Sequence, residues 1–234
     1  MAASVCGERL KPRVVGLLVL VGRQILLVAL ASSNGVGVFG HGAAGGVGVH
    51  AQSTTGTALY LKSDSGWLIH GVDEGDDDTK FYVTNSGDVY ADGAFQSPAG
   101  DFAEMLPGVG ALGPGDVLVI GADGDLARST EAGQHNVAGV YSTEPGFVGG
   151  AGAASENEVP LAIVGVVPVK ASAENGAIQP GDLLITADTE GHAMRADPVE
   201  VGGVTFYPSG IILGKAMAPL AEGTGVIEML VTLQ

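Results

Sequence analysis

The stretch ALGPGDVLVIGADGDLAR, residues 111–128, decides the fold, because AIQPGDLLITADTEGHAMR, residues 177–195, repeats its pattern. Each copy has an apolar residue two positions before Pro-Gly-Asp, then a four-residue apolar segment, a polar turn with Gly, and a short segment ending in Arg. VAGV at 137–140 is echoed in the same way by ILGKA at 212–216. The region therefore predicts a duplicated β unit that folds as one compact barrel or sandwich.

The Pro-Gly-Asp pieces are explained by turn chemistry. Pro fixes the entry to the turn, Gly permits a positive φ, and the Asp side chain accepts a hydrogen bond from a nearby backbone N–H. Asp116 and Asp182 are therefore predicted to be structural, and LAIVGVVPVK at 161–170 is predicted to be a buried strand pair. No GxSxG, HExxH, CxxC or P-loop motif occurs in the sequence, so we expect neither a multi-turnover active site nor a cofactor.

Residues 35–72 contain a repeat of about ten residues. Glycines at 35, 46, 56 and 66 each open a short apolar segment: GVGVFGH, GVGVHAQS, GTALYLKS and GWLIHGVD. We expect each unit to be a turn followed by a strand of four to six residues. Such a strand buries its apolar face only against successive copies in a solenoid or against identical chains around one axis.

After the repeats, FYVTNSGDVYADGAF at 81–95 predicts a hairpin around an Asn-Ser-Gly turn. The acidic run between them lacks the spacing of a calcium loop, so a solvated loop is the preferred interpretation. His41, His50 and His70 would meet as a metal ring only if three chains came together, and we prefer histidines with hydrogen-bond partners. No metal site is predicted.

The first 34 residues form an apolar leader. Four of the ten basic residues lie in its first 31 positions, and Ala29-Leu30-Ala31 has the form of an export cleavage site. Arg23 and Gln24 interrupt the apolar run, so an export signal, a membrane segment and a plain apolar strand or helix all stay open. Cys6 is the single cysteine, which excludes an internal disulfide.

Composition completes the prediction of fold class. The chain has 234 residues with 39 Gly and a formal net charge of −16, which repels phosphate backbones and excludes nucleic acid as a partner. We predict an all-β protein: the leader at 1–34, a repetitive β stalk with its hairpin at 35–96, and a compact, pseudo-duplicated β barrel or sandwich at 97–234.

SPAGDFAEMLPG, residues 97–108, stands at the junction of stalk and C-terminal domain. Asp101 and Glu104 are three positions apart, which would place both on one side of the first turn of a helix, where backbone N–H groups favour carboxylates. Two carboxylates that close together would equally suit proton transfer. Both interpretations stay open.

Taken together, residues 35–234 resemble the C-terminal end of trimeric phage tail-fibre or appendage proteins and related bacterial surface proteins. The similarity rests on the glycine-rich repeats, the hairpin, the stretch Gly-Asp-Phe-Ala-Glu and the Pro-Gly-Asp domain. The last part is similar to the intramolecular chaperone autoprocessing domain of those proteins, the peptidase G2 type.

The resemblance implies a domain that assists assembly of three intertwined chains and then cuts the bond before the motif Asp. Here that bond would be Gly100–Asp101, with Glu104 as general base or proton carrier. Members of the family that cleave have Ser before the Asp, whereas Gly100 offers no hydroxyl. The resemblance also implies an extracellular, cell-surface or virion location.

Three functions follow for testing. The preferred one is a homotrimeric fibre or appendage tip whose C-terminal domain promotes assembly. The second is single-turnover autoproteolysis at Gly100–Asp101. The third is a module that binds a cell-surface glycan, for which Trp67, Tyr60 and Tyr207 are the available stacking residues.

Overall fold

The protein is all-β and divides into two compact units, Met1–Gly93 and Ala94–Gln234. The computed structural model describes residues 16–21, 24–29, 38, 41, 45–73, 75, 77–150 and 157–232. Helices are absent from these ranges. In the same ranges, accordingly, no helix is long and apolar enough to cross a membrane. The boundaries of the three predicted segments, at 34 and 96, remain predictions.

The first unit contains two small antiparallel sheets. Their strands are β1 (Gly16–Val21), β2 (Gln24–Ala29), β3 (Trp67–Val72), β4 (Thr79–Thr84) and β5 (Val89–Ala91). β1 pairs with β2, so this apolar part of the leader is a pair of strands, while its remainder lies outside the described residues. β3, β4 and β5 form the second sheet, in that order. The predicted hairpin is confirmed: β4 and β5 pair around the Asn-Ser-Gly turn, where Gly87 has a φ of +94°.

The repeats behave differently from one another. The unit at Gly66 forms β3, whereas the units at Gly46 and Gly56 form no strand, so the expectation of a strand in every unit is wrong for these two. The unit at Gly35 lies largely outside the described residues. The physical reason is pairing: the unit at Gly66 lies beside β4, whereas the units at Gly46 and Gly56 pair with no strand in the described part of the chain, and a segment of this size needs such a neighbour.

The described residues of the second unit form twelve strands, ten of which belong to one sheet. They are β6 (Asp101–Pro107), β7 (Val117–Ile120), β8 (Leu126–Arg128), β9 (Val137–Tyr141), β10 (Phe147–Gly149), β11 (Glu158–Ser172), β12 (Leu183–Thr186), β13 (Ala193–Arg195), β14 (Val199–Val201), β15 (Val204–Phe206), β16 (Gly214–Ala216) and β17 (Thr224–Val231). β14 and β15 form a separate hairpin.

Five of these strands close into a barrel. Antiparallel pairing runs from β13 through β12, β16 and β17 to β11, and a parallel pair between Ala171 and Ala193 joins β11 back to β13. The interior is filled by small and branched apolar side chains, as a barrel of five strands requires. The largest side chains of this core that are almost fully buried are Ile178, Leu184, Leu213 and Met229.

The strands outside the barrel repeat its order. β8, β7 and β9 neighbour one another as β13, β12 and β16 do, and β9 then pairs with the first half of β11 as β16 pairs with β17. β6 lies next to β11 in the sheet. Gly108, directly after β6, forms a parallel bridge with Leu126 and so connects this segment to β8. The predicted duplication is thus confirmed, with the two copies sharing β11.

The sharing of β11 corrects one prediction. LAIVGVVPVK belongs to a single strand of 15 residues, not to a strand pair. A bulge between Ala162 and Val164 shifts its register where it passes from one copy to the other. Because one continuous strand serves both copies, a turn inside it is not needed.

Candidate functional site

The candidate scissile bond, Gly100–Asp101, lies at the start of β6. Along this strand Asp101 and Ala103 are buried, whereas Phe102 and Glu104 are exposed. That alternation is the period of a strand, so the predicted helical turn at Asp101 and Glu104 is wrong. β6 forms because it pairs on one side with β11 and on the other with β10, both distant in sequence.

The strand separates the two candidate carboxylates. Residues three apart in a strand face opposite sides and lie about 10 Å apart along its axis. A general base must come within about 3 Å of the proton that it takes. In this chain Glu104 therefore does not contact the Gly100–Asp101 bond, and its catalytic role remains a prediction.

Asp101 is buried, and one of its two carboxylate oxygens is unpaired in the described part of the chain. Its relative exposure is 4 %, and its Oδ2 atom has no hydrogen-bond partner among the described residues. A buried polar atom without a partner costs roughly 1–3 kcal/mol. Four side chains have such an atom among the described residues, and Asp101 is the one carboxylate in that group and adjoins the candidate bond.

Two glycines hold the backbone around this bond. The Gly146 N–H donates a hydrogen bond of 2.8 Å to the Asp101 carbonyl oxygen, and a Cβ at Gly146 would lie 2.6 Å from the Ala99 oxygen. On the other side, a Cβ at Gly165 would meet the Gly100 oxygen and lie 2.6 Å from the Asp101 Cα. The segment 99–101 is therefore enclosed by backbone at distances that only glycine permits.

A cavity of about 460 Å³ opens beside the same segment. Three phenylalanines, Phe95, Phe102 and Phe147, line it, and the rest of the lining is Gln96, Ser97, Ala99, Gly100, Asp101 and Gly146. The rings of Phe102 and Phe147 lie 5.4 Å apart between their centroids. This surface is apolar and offers no nucleophile at Gly100.

The Pro-Gly-Asp turns have the predicted structure. Asp116 Oδ2 accepts a hydrogen bond of 2.9 Å from the Gly113 N–H, and Asp182 Oδ2 accepts one of 2.8 Å from the Gln179 N–H. The two copies differ in burial: Asp116 is almost fully buried, whereas Asp182 is partly exposed. The structural role predicted for both aspartates is consistent with these contacts.

Asp116 also forms salt bridges with two basic side chains, which the Pro-Gly-Asp motif did not predict. Lys170 Nζ lies 2.5 Å from Oδ1, and Arg128 Nε lies 3.0 Å from Oδ2. Burial by itself raises the pKa of Asp116, but the Lys170 hydrogen bond, the Gly113 N–H and the two positive charges hold that pKa below its ordinary value. The repeated Arg was a signal for part of this cluster, whereas no local pattern indicated Lys170.

The proposed stacking residues are not one group. Trp67 and Tyr60 belong to the first unit and Tyr207 to the second. Trp67 instead has ring contacts with His70 and Tyr82, with centroid distances of 3.9 Å and 5.8 Å. Tyr82 was not predicted to be part of an aromatic group. The predicted hairpin does indicate it, because the hairpin register pairs β4 with β5 residue by residue.

The acidic loop before β4 is described except for residues 74 and 76, and its described residues contain no metal centre. In the described part of the chain, no group of three or more His, Cys, Asp or Glu side chains is arranged to hold a metal ion. His70 has the hydrogen-bond partner that we expected, since its Nε2 lies 3.1 Å from Thr79 Oγ1.

The chain has a distant likeness among proteins of known structure. No family model matches the chain, and no curated protein matches it. Among solved structures, the crystal structure of the pre-mature bacteriophage phi29 gene product 12 is similar, with 15 % sequence identity and a TM-score of 0.48. The match covers 66 % of this chain but only 24 % of that one. This chain therefore corresponds to about a quarter of that protein's length.

Proposed function

We propose that the chain is the tip of a trimeric fibre or surface appendage, and that its second unit promotes association of three copies. The observation that carries the proposal is a row of exposed apolar side chains on that unit. Val164 on β11 pairs with Phe102 on β6, which pairs with Phe147 on β10. Their relative exposures are 52 %, 57 % and 59 %. We call these three residues the apolar row.

The apolar row has the character of a contact surface. Residues directly opposite on neighbouring strands lie on the same face, so the three side chains form one continuous strip. Apolar strips on a sheet are normally covered by protein. β10 also pairs with β6 and with no further strand among the described residues, which leaves a strand edge beside the strip.

The repeat segment supports the same conclusion from the other unit. Five of its large apolar side chains are more than 60 % exposed: Val38, Val47, Val49, Leu59 and Tyr60. The described residues of one chain leave these side chains open to solvent. Three chains wound around one axis would bury them, which agrees with the assembly implied by the sequence resemblance.

The experiment is sedimentation equilibrium of the full chain. We expect a particle of three times the chain mass of 23.3 kDa, because the apolar row and the repeats are then covered by other copies. Phe147→Asp introduces a charge into the row and should shift the population toward monomer. Thr205→Asp, at an exposed position on β15, is the matched control and should not. A monomeric wild-type chain would refute the proposal.

A second candidate function is single-turnover cleavage at Gly100–Asp101. The observation that favours it is the buried Asp101 carboxylate, whose Oδ2 has no partner among the described residues and which adjoins the bond. A domain that cut itself once would need no conventional active site. Intact-mass measurement of the purified chain tests it, since cleavage yields a fragment that begins at Asp101.

A further inference from the structure

The first unit carries aromatic rings in line across its three-stranded sheet. His70, Tyr82 and Tyr90 are direct neighbours in register on β3, β4 and β5. The Tyr82 and Tyr90 rings lie 4.9 Å apart with planes 12° from parallel, and Trp67 lies against His70 and Tyr82. We call these four residues the aromatic row.

The opposite face of the sheet has a different chemistry. Ile69, Val83 and Val89 are neighbours in register there, and all three are aliphatic. Aliphatic side chains are those that strands bury against other strands. The sheet thus has an aliphatic face and a separate face with aromatic rings.

Polar side chains flank the aromatic row on its own face. Lys80 is two residues before Tyr82, and Asp92 is two residues after Tyr90, so both lie on the same side as the rings. Lys80 Nζ lies 3.1 Å from Asp92 Oδ2 and 2.6 Å from Asp78 Oδ2. The positive charge is thereby balanced by carboxylates on this side of the row.

The other side of the row has a hydroxyl cluster. Thr84 is two residues after Tyr82, and its Oγ1 lies 2.8 Å from Ser86 Oγ. Ser86 Oγ donates a hydrogen bond of 2.8 Å to Asp88 Oδ2. Hydrogen-bonding groups therefore stand on both sides of an aromatic strip.

The rings differ in how much surface they offer. Tyr82 is partly buried between its neighbours, whereas Trp67 and Tyr90 are 51 % and 41 % exposed. Because Tyr82 and Tyr90 are stacked on each other, the ring faces open to a ligand lie at the two ends of the row. Trp67 and Tyr90 are thus the residues on which a ligand would pack.

We propose that the aromatic row binds an uncharged, pyranose-containing oligosaccharide. Aromatic rings pack against the apolar C–H faces of a sugar, while carboxylates, hydroxyls and an ammonium group bond its hydroxyls. A nucleobase would fit the rings equally well, but it brings phosphates that a chain of net charge −16 repels. Anionic glycans are disfavoured for the same reason.

The test uses Trp67 as its own reporter, because it is the single tryptophan of the chain. The full-length protein is titrated with neutral oligomers of glucose, galactose, mannose and N-acetylglucosamine while tryptophan emission is recorded. We expect at least one oligomer to change the emission in a saturable manner. No change with any of the four, or a change only with sialyllactose, heparin or phosphocholine, would overturn the proposal.

Variants locate the binding by a second measurement, isothermal calorimetry with the oligomer that responds. Tyr90→Ala and Trp67→Ala should each weaken binding about tenfold or more, since each removes a stacking surface. Trp67→Phe retains a ring and should recover part of the affinity. Phe206→Ala removes an exposed ring on β15, outside the row, and should leave affinity unchanged, whereas equal loss in Phe206→Ala would contradict the proposed site.

The proposal does not depend on trimer formation. Sedimentation of the same samples separates the two: a monomer that binds the oligomer would refute only the fibre proposal. A trimer without oligosaccharide binding would refute only the glycan site.

Discussion

Lys170 Nζ lies 2.5 Å from Asp116 Oδ1, and this contact joins the strand shared by both copies of the duplication to the first Pro-Gly-Asp turn. Arg128 holds the second oxygen of the same carboxylate and extends to Glu190 in the other copy, with its Nη1 3.2 Å from Glu190 Oε1. The backbone continues the connection, because the Val117 N–H donates to the Gly191 oxygen at 2.9 Å. The cluster therefore links the two copies to each other.

Removing the Asp116 carboxylate should destabilise the second unit strongly. Asp116→Ala leaves two cations without their buried partner and should lower the free energy of unfolding by about 3 kcal/mol. Lys170→Met should cost less, about 1–2 kcal/mol, because Arg128 remains. Urea denaturation at one fixed protein concentration measures both. Lys215→Met, at an exposed lysine on β16, is the control and should stay within about 0.5 kcal/mol of wild type; an equally stable Asp116→Ala would contradict the role of the cluster.

The same carboxylate predicts a dependence of stability on acid. The pKa of Asp116 is lower in the folded chain than its ordinary value of 3.8, so the unfolded chain takes up the proton first as pH falls. The contribution of Asp116 is thus complete above about pH 4 to 5 and is lost as pH falls through the lower, folded pKa. Urea midpoints between pH 6 and pH 2 should decline less steeply in Asp116→Asn than in wild type. Parallel curves for the two proteins would show that Asp116 does not contribute.

Gly165→Ala should disturb the segment around the candidate bond. Gly165 has a φ of +125°, and a Cβ there would overlap the Gly100 oxygen and the Asp101 Cα. Strain and overpacking together should cost about 2–4 kcal/mol. Gly110→Ala is the matched control, because Gly110 also has a positive φ, +83°, but a Cβ there meets nothing within 4 Å. The control should lose only about 1–2 kcal/mol, and equal losses in the two variants would show that the close approach of β11 to β6 does not matter.

The sequence predicted those parts of the fold that depend on local turn chemistry. The two Pro-Gly-Asp turns and the Asn-Ser-Gly hairpin each require particular backbone angles, so glycine, proline and aspartate mark them. Their repetition predicted the duplication, which the strand order confirms. Tyr82 and Tyr90 could have been paired in the same way, because a turn fixes the register of its hairpin.

Features set by distant pairing were not visible in the sequence. Asp101 and Glu104 have helical spacing, but pairing with β10 and β11 makes their segment a strand. Lys170 reaches Asp116 across 54 positions, which no local pattern predicts. The burial of Asp101 depends on the same long-range pairing, so the sequence could name the residue but not its unusual surroundings.

Wild-type chain should remain whole at Gly100–Asp101 during days of incubation, because Gly100 supplies no hydroxyl and Glu104 faces away from Asp101. Gly100→Ser should increase scission and release a fragment that begins at Asp101. The substitution is sterically tolerated, since a Cβ at residue 100 lies 3.7 Å from the Val166 oxygen, an ordinary contact. Intact-mass spectrometry with N-terminal sequencing reads the result. Gly100→Ala, which adds the Cβ without the hydroxyl, is the control and should stay whole.

Adding Glu104→Ala to Gly100→Ser distinguishes the two roles of Glu104. Since Glu104 lies about 10 Å from Asp101 along the strand, we expect the rate of scission to be unchanged by its removal. Loss of scission in the double variant would instead show that Glu104 reaches the bond. Glu104 cannot reach it from its place on β6 of the same chain, so a different arrangement of the segment would then be required. Complete cleavage of the wild-type chain would make the hydroxyl dispensable and would favour the autoprotease over the purely structural function. A Gly100→Ser chain that stays whole would leave Asp101 as a buried carboxylate without a catalytic role.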